Sequence, residues 1–112
     1  MAALDLTFAA LADPTRRRIV ARLTRGATRV GDLALPFDMS LNAVSKHLKV
    51  LERSGLVKRE RLGREHWLQL RAAPLREVVR WANQYERFWN QRLDALGEFL
   101  STQQENGNGQ EK

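Results

Sequence analysis

The segment Ser40 to Gly55, SLNAVSKHLKVLERSG, leaves the chain little structural choice. Serine is a favoured N-cap and glycine a favoured stop, so the two bracket a helix over Leu41 to Ser54. At about 100° per residue, Leu41, Val44, Leu48 and Leu51 gather on one side of that helix. Asn42, Ser45, Lys46, Lys49 and Arg53 collect on the other. Such a helix lies on the surface of a domain, one side packed on a core and a row of hydrogen-bond donors left outward. The rest of the chain must supply the core, and something outside the chain must answer the donors.

The flanking sequence supplies further helices. Leu4, Phe8 and Leu11, at i, i+4 and i+7, predict a short amphipathic helix ending near Ala12. Asp13-Pro14 pairs an N-cap with a proline at the first helical position, starting a second helix from Pro14 to about Arg25 with Gly26 as its stop. Ile19, Val20 and Leu23 form its buried face, and the run Arg16, Arg17 and Arg18 reads as solvated surface. Val30, Leu33 and Ala34 suggest a third helix of about two turns, closed by Pro36. Phe37-Asp38-Met39 then connects to the polar-faced helix.

Downstream, Leu56 to Leu62 and Glu65 to Leu70 are β-compatible runs joined by Gly63-Arg64, where glycine at the first central position suits a type II′ hairpin. Pro74 to Leu100 is the longest predicted helix. Its stripe of Leu75, Val78, Val79, Ala82, Tyr85, Trp89, Leu93, Leu96 and Leu100 is widened by Trp81, Phe88 and Phe99 to about half the circumference. A domain this small cannot cover so wide an arc. Residues 101–112, STQQENGNGQEK, contain no apolar side chain and are expected to form a disordered polar tail beyond a single domain over 1–100. The fold class is mainly α with a small β-hairpin (α+β): five helices and a two-stranded wing.

Composition removes several function classes. With no cysteine there is no disulfide framework, thiolate metal site or cysteine nucleophile. His47 and His66 are far apart and lack clustered carboxylates, and no GxSxG, HExxH or phosphate-cradling glycine loop occurs, so neither an enzyme nor a bound metal or cofactor is expected. No stretch approaches the roughly 18 apolar residues of a membrane helix, and the opening MAALDLTF lacks a basic leader region. A soluble cytoplasmic protein with no membrane partner is the expectation. Net charge is +6, but residues 14–71 carry fourteen bases against five acids, or +9. Charge so concentrated is the footprint of a polyanion binder, because each cation near a phosphate releases condensed counterions.

Helix, short helix, turn, polar-faced helix and basic hairpin together make a winged helix-turn-helix. A helix fits the major groove of B-DNA, so Ser40, Asn42, Ser45, Lys46, His47, Lys49 and Arg53 are candidate contacts to double-stranded DNA, with Lys58, Arg59, Arg61 and Arg64 on the wing. His47 lies at the flank of the helix, where a packed imidazole donating to a phosphate or a neighbouring backbone is expected. Two other functions fit the fold less well. A protein-docking winged helix would carry aromatic or aliphatic anchors on the donor face, and a single-stranded RNA binder would carry stacking platforms where only Trp67 is found.

LADPTRRRIVARL and LALPFDMSLNAVSKHLKVLERSGLVKRERLGREHWLQL resemble the ArsR/SmtB family of winged-helix repressors, over roughly residues 4 to 100 and most specifically from Ser40 to Val57. The ending Tyr85 to Leu93, YERFWNQRL, is similar to a metal-independent branch often encoded beside START-like or Hsp90-activator-like proteins. The resemblance implies a homodimer joined by the terminal helices, with Leu4, Phe8, Val78, Trp81, Ala82, Tyr85, Phe88, Trp89, Leu93 and Leu96 at the interface. It further implies repression from an imperfect palindromic operator until an effector lowers DNA affinity. The family's metal-binding cysteines would fall at Arg29 and Gly31, and the last helix lacks the histidine of its zinc sites, so usual metal sensing is not expected. Any small-molecule effector is expected near Trp81, Phe88 and Trp89, where the aromatics otherwise serve as interface core.

Overall fold

The computed structural model of the chain describes residues 2–110, with side chains through Gln104. Among the described residues, five helices and three strands run in the order α1 (Ala3–Leu11), α2 (Pro14–Leu23), β1 (Thr28–Arg29), α3 (Val30–Ala34), α4 (Leu41–Arg53), β2 (Val57–Leu62), β3 (Glu65–Leu70) and α5 (Ala72–Gln110). They fall into two compact units, Met1–Val78 and Val79–Lys112.

The first unit is organised by its helix ends. The Asp13 carboxylate accepts the backbone N–H of Arg16 at 3.0 Å, with Pro14 in the first turn of α2. Ser40 Oγ accepts the N–H of Ala43 at 3.1 Å and so starts α4. At the other end of α4, Leu56 N–H bonds Leu51 C=O and Gly55 N–H bonds Glu52 C=O, both at 3.1 Å, while Gly55 takes φ 83°. This paired closure satisfies carbonyls that the helix leaves open, and it sets the buried Leu56 against the buried Leu51. The core gathers Ile19, Leu23, Leu33, Val44, Leu48, Leu51, Leu56 and Leu68 with Phe37, the last read from sequence as connector.

The wing has three strands rather than two, in the order β1-β3-β2, all antiparallel. β1 pairs Thr28 with Leu68 and Arg29 with Trp67. Two residues are too few to show alternation, which is why the sequence gives no hint of this strand. In the hairpin, Gly63 has φ 65° and Arg64 stays at negative φ, as a type II′ turn requires.

Two predicted core positions differ. Leu41 is not in the core but 56% exposed, at the first position of α4 and a turn ahead of the fully buried Val44. In α1 the deeply buried side chains are Thr7 and Ala10, with Leu4, Phe8 and Leu11 only partly covered. The small side chains face inward, and the Thr7 hydroxyl is satisfied by donating to Ala3 C=O at 3.1 Å.

In the second unit, α5 continues past Leu100 to Gln110, where sequence reading expects a disordered tail; Glu111 and Lys112 lie outside the described residues. Extending an existing helix costs far less than nucleating one, Gln103 and Gln104 are good helix formers, and Thr102 Oγ1 donates to Glu98 C=O at 3.0 Å. Apolar residues are not needed for that. Among the described residues no helix is long and apolar enough to cross a membrane.

Candidate nucleic-acid interface

The capped start of α4 fixes the phase of everything along it. Val44, Leu48 and Leu51 are buried, and Asn42, Lys46, Lys49 and Arg53 are exposed on the far side, with Ser45 half-buried between. None of these four exposed side chains makes a hydrogen bond or ion pair within the described residues, so their donors point to solvent. Ser40 differs in part: its Oγ accepts the Ala43 N–H as the cap, while its O–H is still available to donate.

His47 sits on the opposite flank, with 20% of its side chain exposed. Among the described residues its partners are side chains, which replaces the backbone half of the expectation and leaves the phosphate half untouched. Nδ1 lies 3.3 Å from a guanidinium nitrogen of Arg16 and 3.8 Å from Asp13 Oδ2. A guanidinium can only donate, so in the neutral ring Nδ1 accepts and Nε2 carries the proton. Arg16 also donates from Nε to Ala10 C=O at 2.6 Å and from Nη2 to Ala9 C=O at 3.1 Å. Of the arginine run read as solvated surface, one member is thus a structural staple. Arg18 lies 4.7 Å over the Phe37 ring, and Arg17 donates to Leu11 C=O at 2.8 Å. The Asp13 carboxyl is held below the ordinary carboxylate range, chiefly by the Arg16 N–H and then by the charge of His47 in its protonated form and that of Arg16, against an opposing effect of burial.

The wing cations separate into two kinds. Lys58 and Arg64 are exposed with no hydrogen-bond or ion-pair partner in the described residues, and Arg61 folds back to donate from Nε to Gly63 C=O at 3.0 Å while staying exposed. Arg59 is paired with Glu52 of α4 at 2.5 Å, which ties the wing to the polar-faced helix and removes one cation from the free surface. Beside the wing hairpin, Arg29 of β1 bonds Asp32 and Glu65, each at 2.9 Å, and lies 5.8 Å over the Trp67 ring. Those two carboxylates raise the Arg29 pKa further above its ordinary value, Asp32 contributing most. The Arg29–Asp32 spacing of three is readable on a helix start, but its link to Glu65 depends on strand pairing that sequence does not reveal.

Of the predicted interface residues, Leu4, Phe8 and Val78 are partly buried in the first unit. In the second, Trp81, Ala82, Tyr85, Phe88, Trp89, Leu93 and Leu96 are exposed along α5, Trp89 at 58%. Trp81 and Tyr85 have ring centroids 5.0 Å apart, and Arg92 lies 4.6 Å over Phe88. Among the described residues no three His, Asp or Glu side chains converge as a metal site would need.

A helix-turn-helix domain family matches residues 11–60. The HTH-type transcriptional regulator Rv2034 of Mycobacterium tuberculosis is 36% identical over 99 residues, 88% of this chain and 90% of that protein. The transcriptional repressor SdpR of Bacillus subtilis is 32% identical over 78 residues, 70% of this chain and 87% of the relative. Among solved structures, an ArsR family transcriptional regulator superposes with a TM-score of 0.73 at 39% identity, covering 79% of this chain and 91% of that one.

Proposed function

Since the chain belongs to the ArsR family of winged-helix transcriptional regulators, a DNA-binding class and not a class of enzymes, we propose that it is a homodimeric repressor reading an imperfect palindromic operator in double-stranded DNA, in the cytoplasm. The observation that carries this reading is the outward row of α4, where Asn42, Lys46, Lys49 and Arg53 are exposed and the opposite side is core. Side chains on base edges specify sequence, whereas cations on phosphates mainly position the protein. Asn42 and Ser45 take the first role in this reading. Lys46, Lys49, Arg53, Lys58, Arg61 and Arg64 take the second, while Ser40 and Arg59 hold the helix and wing in place. The exposed aromatic stripe of α5 supports pairing with a second copy, which would bring two reading helices to two half-sites.

The test is a gel shift on the intergenic duplex upstream of the gene, against random duplex and against each single strand. The operator duplex is expected to bind best. If a dimer neutralises about 6 to 10 phosphates, the log-log slope of affinity against salt is expected at roughly −5 to −9. Tighter binding to a single strand would favour an RNA-type reading, and equal binding to all duplexes would refute operator recognition.

Metal sensing through thiolates at positions 29 and 31 is unsupported, since the Arg29 guanidinium is engaged by Asp32 and Glu65 and Gly31 has no side chain. Zn(II), As(III) and Cd(II) at modest excess are expected to leave operator affinity unchanged, and an effect reversed by chelator would overturn that.

A further inference from the structure

The leucine that sequence periodicity assigns to the core is left in the open. Leu41 is the first residue of α4, immediately after the Ser40 cap, and 56% exposed. Within α4 it is the only large apolar side chain so exposed, and it belongs neither to the buried core nor to the partly buried residues packed against it. An exposed leucine alone says little, because folded proteins show many. Its place on this helix says more. Helix-turn-helix proteins touch base edges with the N-terminal residues of the reading helix. The Ser40 cap fixes the backbone from which the Leu41 side chain projects. Leu41 also shares a ridge with Ser45, four residues on, so the two meet the same strip of any surface laid against the helix. A leucine cannot bond to a donor or acceptor. In the major groove the apolar feature that distinguishes one base from the others is the 5-methyl group of thymine.

We infer that Leu41 is a specificity-determining residue, selecting a thymine in each half-site by packing on its 5-methyl group. The inference rests on the DNA-reading function proposed above and adds to it a base and an atom. It also assigns the polar neighbours a complementary task, with Asn42 and Ser45 bonding the edges of adjacent bases.

The full-length protein would first be used to select duplexes from a random-sequence library. In the enriched duplex, each thymine would then be replaced singly by deoxyuridine, which removes the methyl and leaves pairing unchanged. For the wild type, one thymine per half-site is expected to show about a fourfold loss of affinity on replacement, equivalent to about 0.8 kcal/mol for one methylene-sized group taken from water. Leu41→Ala is expected to bind the thymine and deoxyuridine duplexes equally, and Leu41→Met to retain the preference. A methyl effect that persists undiminished in Leu41→Ala, or no methyl effect at any thymine, overturns the assignment while leaving operator binding intact. Loss of helix content or of dimer in Leu41→Ala would show the leucine to be structural and would overturn it too. Failure of the wild type to enrich any duplex refutes the DNA-reading function itself, and the inference with it.

Discussion

A single guanidinium, that of Arg16, joins three helices: it leaves α2, donates to the carbonyls of Ala9 and Ala10 at the end of α1, and meets His47 on α4. Hydrogen bonds from a charged donor are stronger than neutral ones, so Arg16→Ala is expected to lower the unfolding free energy by about 1–3 kcal/mol in urea titration. Lysine is not expected to rescue it, since one ammonium cannot reproduce the fork. Asp13 adds a pH dependence to the same junction. Its folded pKa lies below the unfolded value near 3.8. The stabilisation from its ionised form is therefore complete above that unfolded value and is lost as pH falls through the lower folded one. Asn is also a good N-cap but does not titrate. Asp13→Asn is thus expected to flatten the decline of the urea midpoint between about pH 4 and pH 2, and an unchanged decline would remove Asp13 as its source.

At the scale of the elements, the wing makes the sharpest prediction because its cations are unequal. Replacing Arg61 and Arg64 together by alanine is expected to weaken operator and random duplex by similar factors in gel shifts, with thermal stability nearly unchanged. Arg59→Ala instead breaks a contact to α4 through Glu52, so its effect is expected to reach sequence discrimination as well. Unaltered binding in the double variant would leave the wing a structural part only. How far these elements were legible follows from where their signals lie in the chain. Asp13-Pro14, Ser40, Gly55 and Gly63 each act on their immediate neighbours, and helix starts, stops and the hairpin turn follow from them directly. β1 exists because β3 comes alongside it, and nothing in Thr28-Arg29 announces that. The same holds for the candidate site. The exposed side of α4 is a matter of phase and was readable, whereas the ties of His47 to Arg16, Arg29 to Glu65 and Arg59 to Glu52 join residues far apart in sequence. Leu41 misleads for a related reason: it has the right phase for the core but stands a turn too early to reach it.

For the whole molecule, the second unit matters because none of its described residues is a buried apolar one. Trp81, Tyr85, Phe88, Trp89, Leu93, Leu96, Phe99 and Leu100 are all exposed on α5, a contiguous apolar surface of the kind that marks an interface. If pairing covers about 100 to 150 Å² at each of Trp89 and Leu93, each contributes roughly 3 kcal/mol before the entropy of association, at about 25 cal/mol per Å². Trp89→Ala with Leu93→Ala is therefore expected to sediment as a monomer at tens of micromolar and to bind operator far more weakly, since one subunit reads one half-site. A double variant that stays dimeric and binds normally would show that pairing lies elsewhere. The buried core, from Ala10 to Leu68, lies wholly ahead of the boundary after Val78. On the proposed reading, the residues that choose a DNA word and most of those that choose a mate are therefore encoded in separate stretches of the gene, Leu4, Phe8 and Val78 being the exceptions. A single crossover near codon 79 between two such relatives is then expected to change the mate more than the operator, which mixed-subunit sedimentation and gel shifts on both operators would check.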